Sequence, residues 1–524
     1  MKYLISIVLT ITVILTIGRD LLPFQNSMFT SHDSSQPARI VEFVYNIQHL
    51  QLPPRIAPHW SFGLGFPVFN FYAPTAYWIT SLINIIGLSV IDSLKLSYLL
   101  SMVLASIGMY LFLKNFFKPM PSVLGGVLYA FSPWVAVETF VRGNLAEMWF
   151  IALLPYALYL LLKNAESQTN KNLIITSLVL CLFFSVHNVL SPVGLILSII
   201  FTLLLEKKKQ NFIAIGVGLL LSSYFLIPAV VELSNTYASM IAQQTKYSDH
   251  FLCAWQLWTT PSWGYGGSAP GCLKDGMSFM IGKVQIIFAV LGLLVFLWRF
   301  KSLTKKDRRI MMFITVLGIV TAFLTTYSSE PIWHALPFLA VFQFPWRLLI
   351  FPLFTCAFLA ALFFNQLTLP LIQYFILGVT ILYLFQANRY FHPPLLSQQS
   401  YEQQYVSEKY IFEKAAFAVP EYLPKTVKYG EWYKLQGTSF ESYNGPAYKR
   451  TVQNGVLPIH YFSFWHIKPS KYTVDMLGRP TARTAIYQQS PVQQLGNIIS
   501  VLTLVGLGIL TLNNSEVKSQ KSKI

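Results

Sequence analysis

His32 and Asp33 stand side by side in the first long polar interruption of a mostly apolar chain, and Arg39 follows shortly after. These residue types suit one kind of chemistry. A carboxylate can take a proton from an attacking hydroxyl, and a guanidinium can grip a phosphate in bidentate fashion. The stretch that carries them, outer loop 18–72, also holds Asp20, Glu42, Arg19, Arg55, His49 and His59 between turn formers. A loop that only joins two membrane helices needs few residues. A longer one is expected to work, here as one wall of an active site with Asp33 at its centre. The plainer alternative is that Asp33 only caps the helix that follows it.

Two further charged groups sit at expected membrane boundaries. Arg142 and Glu147 flank a short connector, VRGNLAE, where an ionisable group is costly and is usually functional or paired. A mutual salt bridge closing the helix ends is the other reading. Arg347 ends the segment QFPWR at the mouth of an apolar run, placed to meet a phosphate or to snorkel outward. The segment 232–283 is rich in Trp, Gly and Tyr, suited to stacking on a sugar or lipid, or to interfacial anchoring. Cys253 and Cys272 share that loop and form a chemically reasonable disulfide in an oxidising compartment. Cys181 and Cys356 fall in apolar runs as packing residues.

The elements that must position these groups are mostly membrane helices. Of 524 residues, 54% are hydrophobic and 11% charged, and the mean hydropathy is +0.51. That excludes an ordinary soluble protein. The net charge of +17 does not imply nucleic acid, because the surplus lies in short connectors, as the positive-inside rule predicts. Placing those connectors inside gives spans near 3–17, 97–113, 121–138, 147–162, 172–188, 191–205, 211–230, 284–299, 310–327, 347–364, 369–386 and 494–512, about twelve crossings with both termini inside. The segment 73–90 breaks the parity and is expected to be a re-entrant or juxtamembrane helix. Within the first loop, Ser34-Ser35-Gln36-Pro37 reads as a helix start. Ile40, Phe43, Val44, Ile47 and Leu50 make an apolar stripe, with Arg39, Glu42 and Asn46 along another face, and the helix should lie flat in the interface.

The expected architecture is therefore an all-α polytopic membrane protein with a small C-terminal extracytoplasmic β-rich domain. Residues 1–386 form the transmembrane domain, 387–493 the mixed or β domain, and 494–524 the final span and cytoplasmic tail. There is no zinc spacing, GxGxxG, Walker motif or nucleophile signature. The inner connectors are too short for a nucleotide-binding domain, so chemistry must use outer-face donors, which are normally lipid-linked.

An N-terminal span, a long outer loop carrying an Asp, many spans and a C-terminal outer domain together resemble the GT-C superfamily of polyprenyl-phosphate-sugar glycosyltransferases. LGGVLYAFSPWVAVETFVRGNLAE is similar to the second outer loop of the oligosaccharyltransferase catalytic subunit. Arg142, Gly143 and Glu147 match its Arg…Gly…Asp-x-Glu pattern, but the Asp position is not acidic. The closer resemblance is to the 6-pyruvoyl-tetrahydropterin-synthase-related membrane proteins, neighbours of those that glycosylate lipoteichoic acid. It rests on His32-Asp33, PPRIAPHW, GLGFPVFNFYAP, FPWR and EYLP. The pterin label gains no support, since no zinc-binding histidine trio is present. WWDYG is absent too, so sequon recognition is not implied.

The resemblance implies transfer of a sugar from a polyprenyl-phosphate donor to an extracytoplasmic glycan, envelope polymer or protein, beside membrane lipid. Asp33 is the candidate base and Glu147 a second carboxylate. His32, Arg39, Arg142 and Arg347 are the candidate substrate and phosphate partners. A divalent metal such as Mg or Mn stays open. The competing classes are a polysaccharide or lipid transporter, which would show internal repeats, and an envelope assembly protein without catalysis.

Overall fold

The computed structural model describes residues 11, 16–244, 246–260, 263–367, 372, 378, 390–438, 440–453 and 455–521. The expected spans 3–17 and 369–386 therefore lie almost wholly outside the described residues. Four helices are long and apolar enough to cross a membrane: Val90–Leu113, Leu145–Ser167, Pro345–Phe364 and Pro491–Thr511. Two bent pairs raise the total to six: Pro119–Ala130 with Pro133–Arg142, bent by 41°, and Lys209–Leu221 with Ser223–Asn235, bent by 65°. Pro133 and the Ser222–Ser223 pair mark these breaks. Asn170–Phe184, Leu190–Leu204, Lys283–Arg299 and Lys305–Leu324 occupy four more of the expected positions.

The helices divide into a centre and a rim. Leu145–Ser167 and Pro345–Phe364 are each 83% buried, whereas the final helix is only 11% buried and presents apolar side chains outward. Val90–Leu113 packs along Leu145–Ser167, and Lys283–Arg299 along Pro345–Phe364. The second pair approaches closely because Gly292 has no Cβ: one there would collide with the Leu359 backbone.

The segment 73–90 contains the helix Thr75–Ile85, whose 11 residues reach only about 16 Å, too short for a ~30 Å hydrocarbon layer. The first-loop helix, Gln36–Gln48, departs from expectation. It does not lie with its polar face to water, because Arg39, Glu42 and Asn46 are as buried as Ile40 and Phe43. Its polar face is satisfied by protein instead. Glu42 pairs with His59 at 2.8 Å, and Asn46 donates to the Ile56 carbonyl at 2.8 Å.

The C-terminal region is mixed, and it is woven into the first loop. Ser27–Phe29 pairs antiparallel with Leu395–Ser397. Lys449–Thr451 and Trp465–Lys468 flank Thr484–Tyr487 in a three-stranded antiparallel sheet, while 398–433 is mainly short helices. The Phe62 amide donates to the Phe412 carbonyl at 2.6 Å, and the Tyr443 amide to the Phe62 carbonyl at 2.9 Å. Arg450, almost fully buried, donates to the carbonyls of Gly63 and Pro58. Buried Glu232 joins four segments, accepting from Asn70, Ser463, Ser490 and Gln493 at 2.6–2.9 Å.

Candidate active site

The bent span ending at Arg142 sets the geometry. Pro133–Arg142 closes in a π-helical turn over Val137–Arg142, and Gly143 follows with φ +64°. This left-handed residue turns the chain into Leu145–Ser167, where Asn144 caps by accepting from the Glu147 amide. Gly143 is required twice over, because a Cβ would also strike the Ser31 side chain. The first loop hangs on the same turn. The amides of His32 and Asp33 donate to the carbonyls of Val141 and Arg142, each at 2.9 Å. Gln36 and Tyr98 donate to the Gly143 carbonyl at 3.1 and 2.6 Å.

Asp33 is thereby fixed beside Arg142 at a cavity of about 890 Å³. Its carboxylate does not cap the helix amides. It accepts from Arg39 through both terminal nitrogens at 3.2 and 3.4 Å, from Gln36 at 2.6 Å and from Ser35 at 3.0 Å. Arg39 also donates to the Tyr77 hydroxyl at 2.8 Å and lies over the Tyr72 ring at 4.3 Å. Burial works against the Arg39 charge, yet Asp33 and the two tyrosines outweigh it and hold the guanidinium firmly protonated.

Opposite them, Arg142 and Arg347 share a carboxylate. Arg142 is bidentate on Glu147 at 2.8 and 2.9 Å and touches Glu138 at 2.5 Å. It also lies over the Trp346 ring at 4.4 Å. The Arg347 Nε donates to Glu147 at 3.2 Å, and its Nη1 to the Phe342 carbonyl and to Gln343 at 2.9 and 3.1 Å. Among the described residues, its Nη2 has no hydrogen-bond partner. Asn144 donates to Glu147 at 2.9 Å, and His187 stands 3.5 Å from it.

The structure thus brings His32, Asp33, Arg39, Arg142 and Arg347 to one cavity. His32 is exposed there, its Nε2 2.9 Å from the Tyr265 carbonyl. Glu147 departs from expectation. It is fully buried beneath the two arginines and does not line the cavity, so the assignment of a second catalytic carboxylate to it fails on geometry. The salt bridge across the VRGNLAE connector exists, and Arg142 also reaches the cavity. Cys253 and Cys272 are joined, their Cα atoms 5.8 Å apart. Their loop supplies Gly267 and Ser268 to the cavity wall.

Residues 69–392, more than half of the chain, match the family described as the 6-pyruvoyl-tetrahydropterin synthase related domain, a membrane protein. The chain belongs to that family. Asp33 and Arg39 precede the matched region, while Arg142 and Arg347 lie within it. A comparison with curated proteins finds no match. In structure, the chain is similar to the arabinofuranosyltransferase AftD from Mycobacteria, with TM-score 0.47 and 11% identity over 74% of this chain and 26% of that one. It is likewise similar to the apo Archaeoglobus fulgidus oligosaccharyltransferase, with TM-score 0.47 and 12% identity over 85% of this chain and 61% of that one. For the same organism's AglB with an inhibitory peptide and a dolichol-phosphate, the TM-score is 0.40 at 13% identity, over 85% and 61%. The chain therefore spans about a quarter to three fifths of these proteins' length.

In this family member, several site residues were not singled out from sequence. Glu138 lies one helical turn before Arg142, a spacing that signals an ion pair. His187 and Tyr72 line the cavity as well. Glu421, within the EYLP motif, lines it from the C-terminal region. Among the described residues, no three His, Cys, Asp or Glu side chains gather where they could hold a metal ion. Asp33 is turned onto Arg39, so this donor set does not fit a resident Mg²⁺ or Mn²⁺.

Proposed function

We propose that the protein is a GT-C-type membrane glycosyltransferase. It moves a sugar from a polyprenyl-phosphate donor to a hydroxyl of a glycan, envelope polymer or protein on the extracytoplasmic face. One observation carries this reading: Asp33, Arg39, Arg142 and Arg347, from segments far apart in sequence, meet at one cavity at the ends of apolar helices. Arg347 and Arg142 are the groups that would receive the departing phosphate, since guanidinium donors stabilise charge as it develops. Asp33, fixed by Arg39 and Gln36, would orient the acceptor or its proton.

The mouth is apolar on one side. Val230 and Val341 both line the cavity and are 74% and 60% exposed, which suits a lipid tail that stays in the bilayer. The same reading has the chain crossing the membrane about twelve times, with both termini inside.

The test uses membranes carrying the full chain and a panel of radiolabelled undecaprenyl-phosphate monosaccharides. Wild type should transfer label from at least one of them, and Asp33→Asn should lose that transfer while inserting normally. No transfer by wild type across the panel would defeat the reading. Loss of Asp33→Asn from the membrane would make Asp33 a structural residue.

A further inference from the structure

The carboxylates at the cavity are not equally available. Asp33 already accepts hydrogen bonds from three side chains. Glu147 and Glu138 are fully buried against Arg142. Glu421 differs from all three. It lines the cavity, is only partly exposed, and among the described residues makes no hydrogen bond or ion pair to another side chain.

Its position is nonetheless fixed. It lies in the tight turn Pro420–Tyr422. The next residues are tied to the end of the second bent span: Tyr237 donates to the Leu423 carbonyl at 3.2 Å, and Lys425 to the Asn235 carbonyl at 2.8 Å. The Tyr422 hydroxyl accepts from Asn188 at 2.9 Å, and its ring stacks on Phe71 at 5.7 Å. A carboxylate held by its backbone and, among the described residues, bonded to no other side chain is arranged to meet something that enters the cavity.

We infer that Glu421 is the group that takes the proton from the acceptor hydroxyl, so that the C-terminal region completes the catalytic site. The inference rests on the glycosyltransferase reading above. In the step, the acceptor oxygen forms its bond to the sugar C1 as its proton passes to the Glu421 carboxylate. The bond from C1 to the donor phosphate oxygen breaks with its electron pair, leaving a glycoside, a polyprenyl phosphate and a protonated Glu421. Asp33 then acts as the anchor of Arg39 and of the loop edge, and not as the proton acceptor.

The electrostatics agree with this division. Burial pushes the Glu421 carboxyl up to about 7, against the pull of its own amide and of Arg39 and Arg347, with Asp33 adding to the rise. Its charge also acts on Tyr422 and Tyr429, and His32, His187, His250 and Arg142 line the same cavity. A base of that strength is matched to neutral pH. The free-enzyme profile, kcat/KM, should therefore rise tenfold per pH unit and level off near 7. The negative charge of a bound donor should push the corresponding limb of kcat higher.

The experiment compares full-length wild type, E421Q and E421D in proteoliposomes, using whichever undecaprenyl-phosphate sugar wild type accepts. E421Q should lower kcat at pH 8 by roughly a hundredfold or more, keep KM for the donor within about twofold, and lose the acidic limb. E421D should recover part of kcat. A wild type that transfers normally with a flat kcat/KM profile between pH 5.5 and 8 overturns the inference, even if E421Q does not fold. So does an E421Q enzyme with wild-type kcat, or one altered only in KM with its acidic limb intact. A wild type inactive across the whole panel overturns the glycosyltransferase reading, and the inference with it.

Discussion

Glu147→Gln tests the geometry most sharply, because sequence and structure assign this residue different jobs. The substitution keeps shape and removes one charge. In the native protein that charge meets Arg142 at 2.8 and 2.9 Å and Arg347 at 3.2 Å, with no solvent exposure. Arg142 keeps Glu138 after the change, but Arg347 loses its one carboxylate partner among the described residues. Breaking a buried pair on one side costs roughly 3–5 kcal/mol. The retained Glu138 contact puts the expectation at the lower end, about 3 kcal/mol. Thermal unfolding of the purified protein in detergent should show a fall in melting temperature. Donor turnover should show a raised KM, as Arg347 drifts from the phosphate position, with the pH limb unchanged. An enzyme of wild-type stability and donor KM whose kcat is abolished would refute the reasoning, since that pattern belongs to a group touching the reacting atoms.

Gly143→Ala should destabilise by about 2 kcal/mol from left-handed strain alone, and more from the contact with Ser31; thermal melts and lost transfer check it. Tyr77→Phe removes the hydroxyl that accepts from Arg39 and donates to Gln36. Losing these two buried hydrogen bonds, one of them to a charged group, should cost about 1–3 kcal/mol, read as a lower melting temperature. Cys253→Ser opens the loop between cysteines 19 residues apart. It should cost about 3 kcal/mol, and reductant should lower the melting temperature of wild type but not of the variant.

Much of the helical frame was legible because apolar runs of spanning length carry their own signal. The convergence of Asp33, Arg142 and Arg347 was also legible, since an ionisable group at a membrane boundary is expensive and demands a reason. Sequence spacing could not tell which side of a guanidinium a neighbouring carboxylate takes. That choice buried Glu147 beneath Arg142 instead of opening it to the cavity. The helix Gln36–Gln48 misled for a similar reason. Its amphipathic pattern predicts a helix lying flat in the interface, but His59 and the Ile56 carbonyl supply partners to its polar face. Composition and turn signals mark the C-terminal region as a small domain that packs on the membrane part, but not how it does so. Its strands and turns are interlaced with residues 27–64, through long-range pairings that no local pattern encodes.

That interlacing bears on the charges. Three arginines around one cavity would repel one another at a membrane boundary unless each were compensated. Asp33 answers Arg39, Glu138 answers Arg142, and Glu147 is divided between Arg142 and Arg347. On the proposed reading the cavity would therefore not draw a phosphate by raw excess of positive charge. It would offer donors already aimed, with the Arg347 Nη2 unpaired among the described residues, which is the preorganised form of electrostatic stabilisation. Removing one of the compensating carboxylates should not free an arginine for the substrate. It should release that arginine from its aim, so binding weakens even as the net positive charge grows.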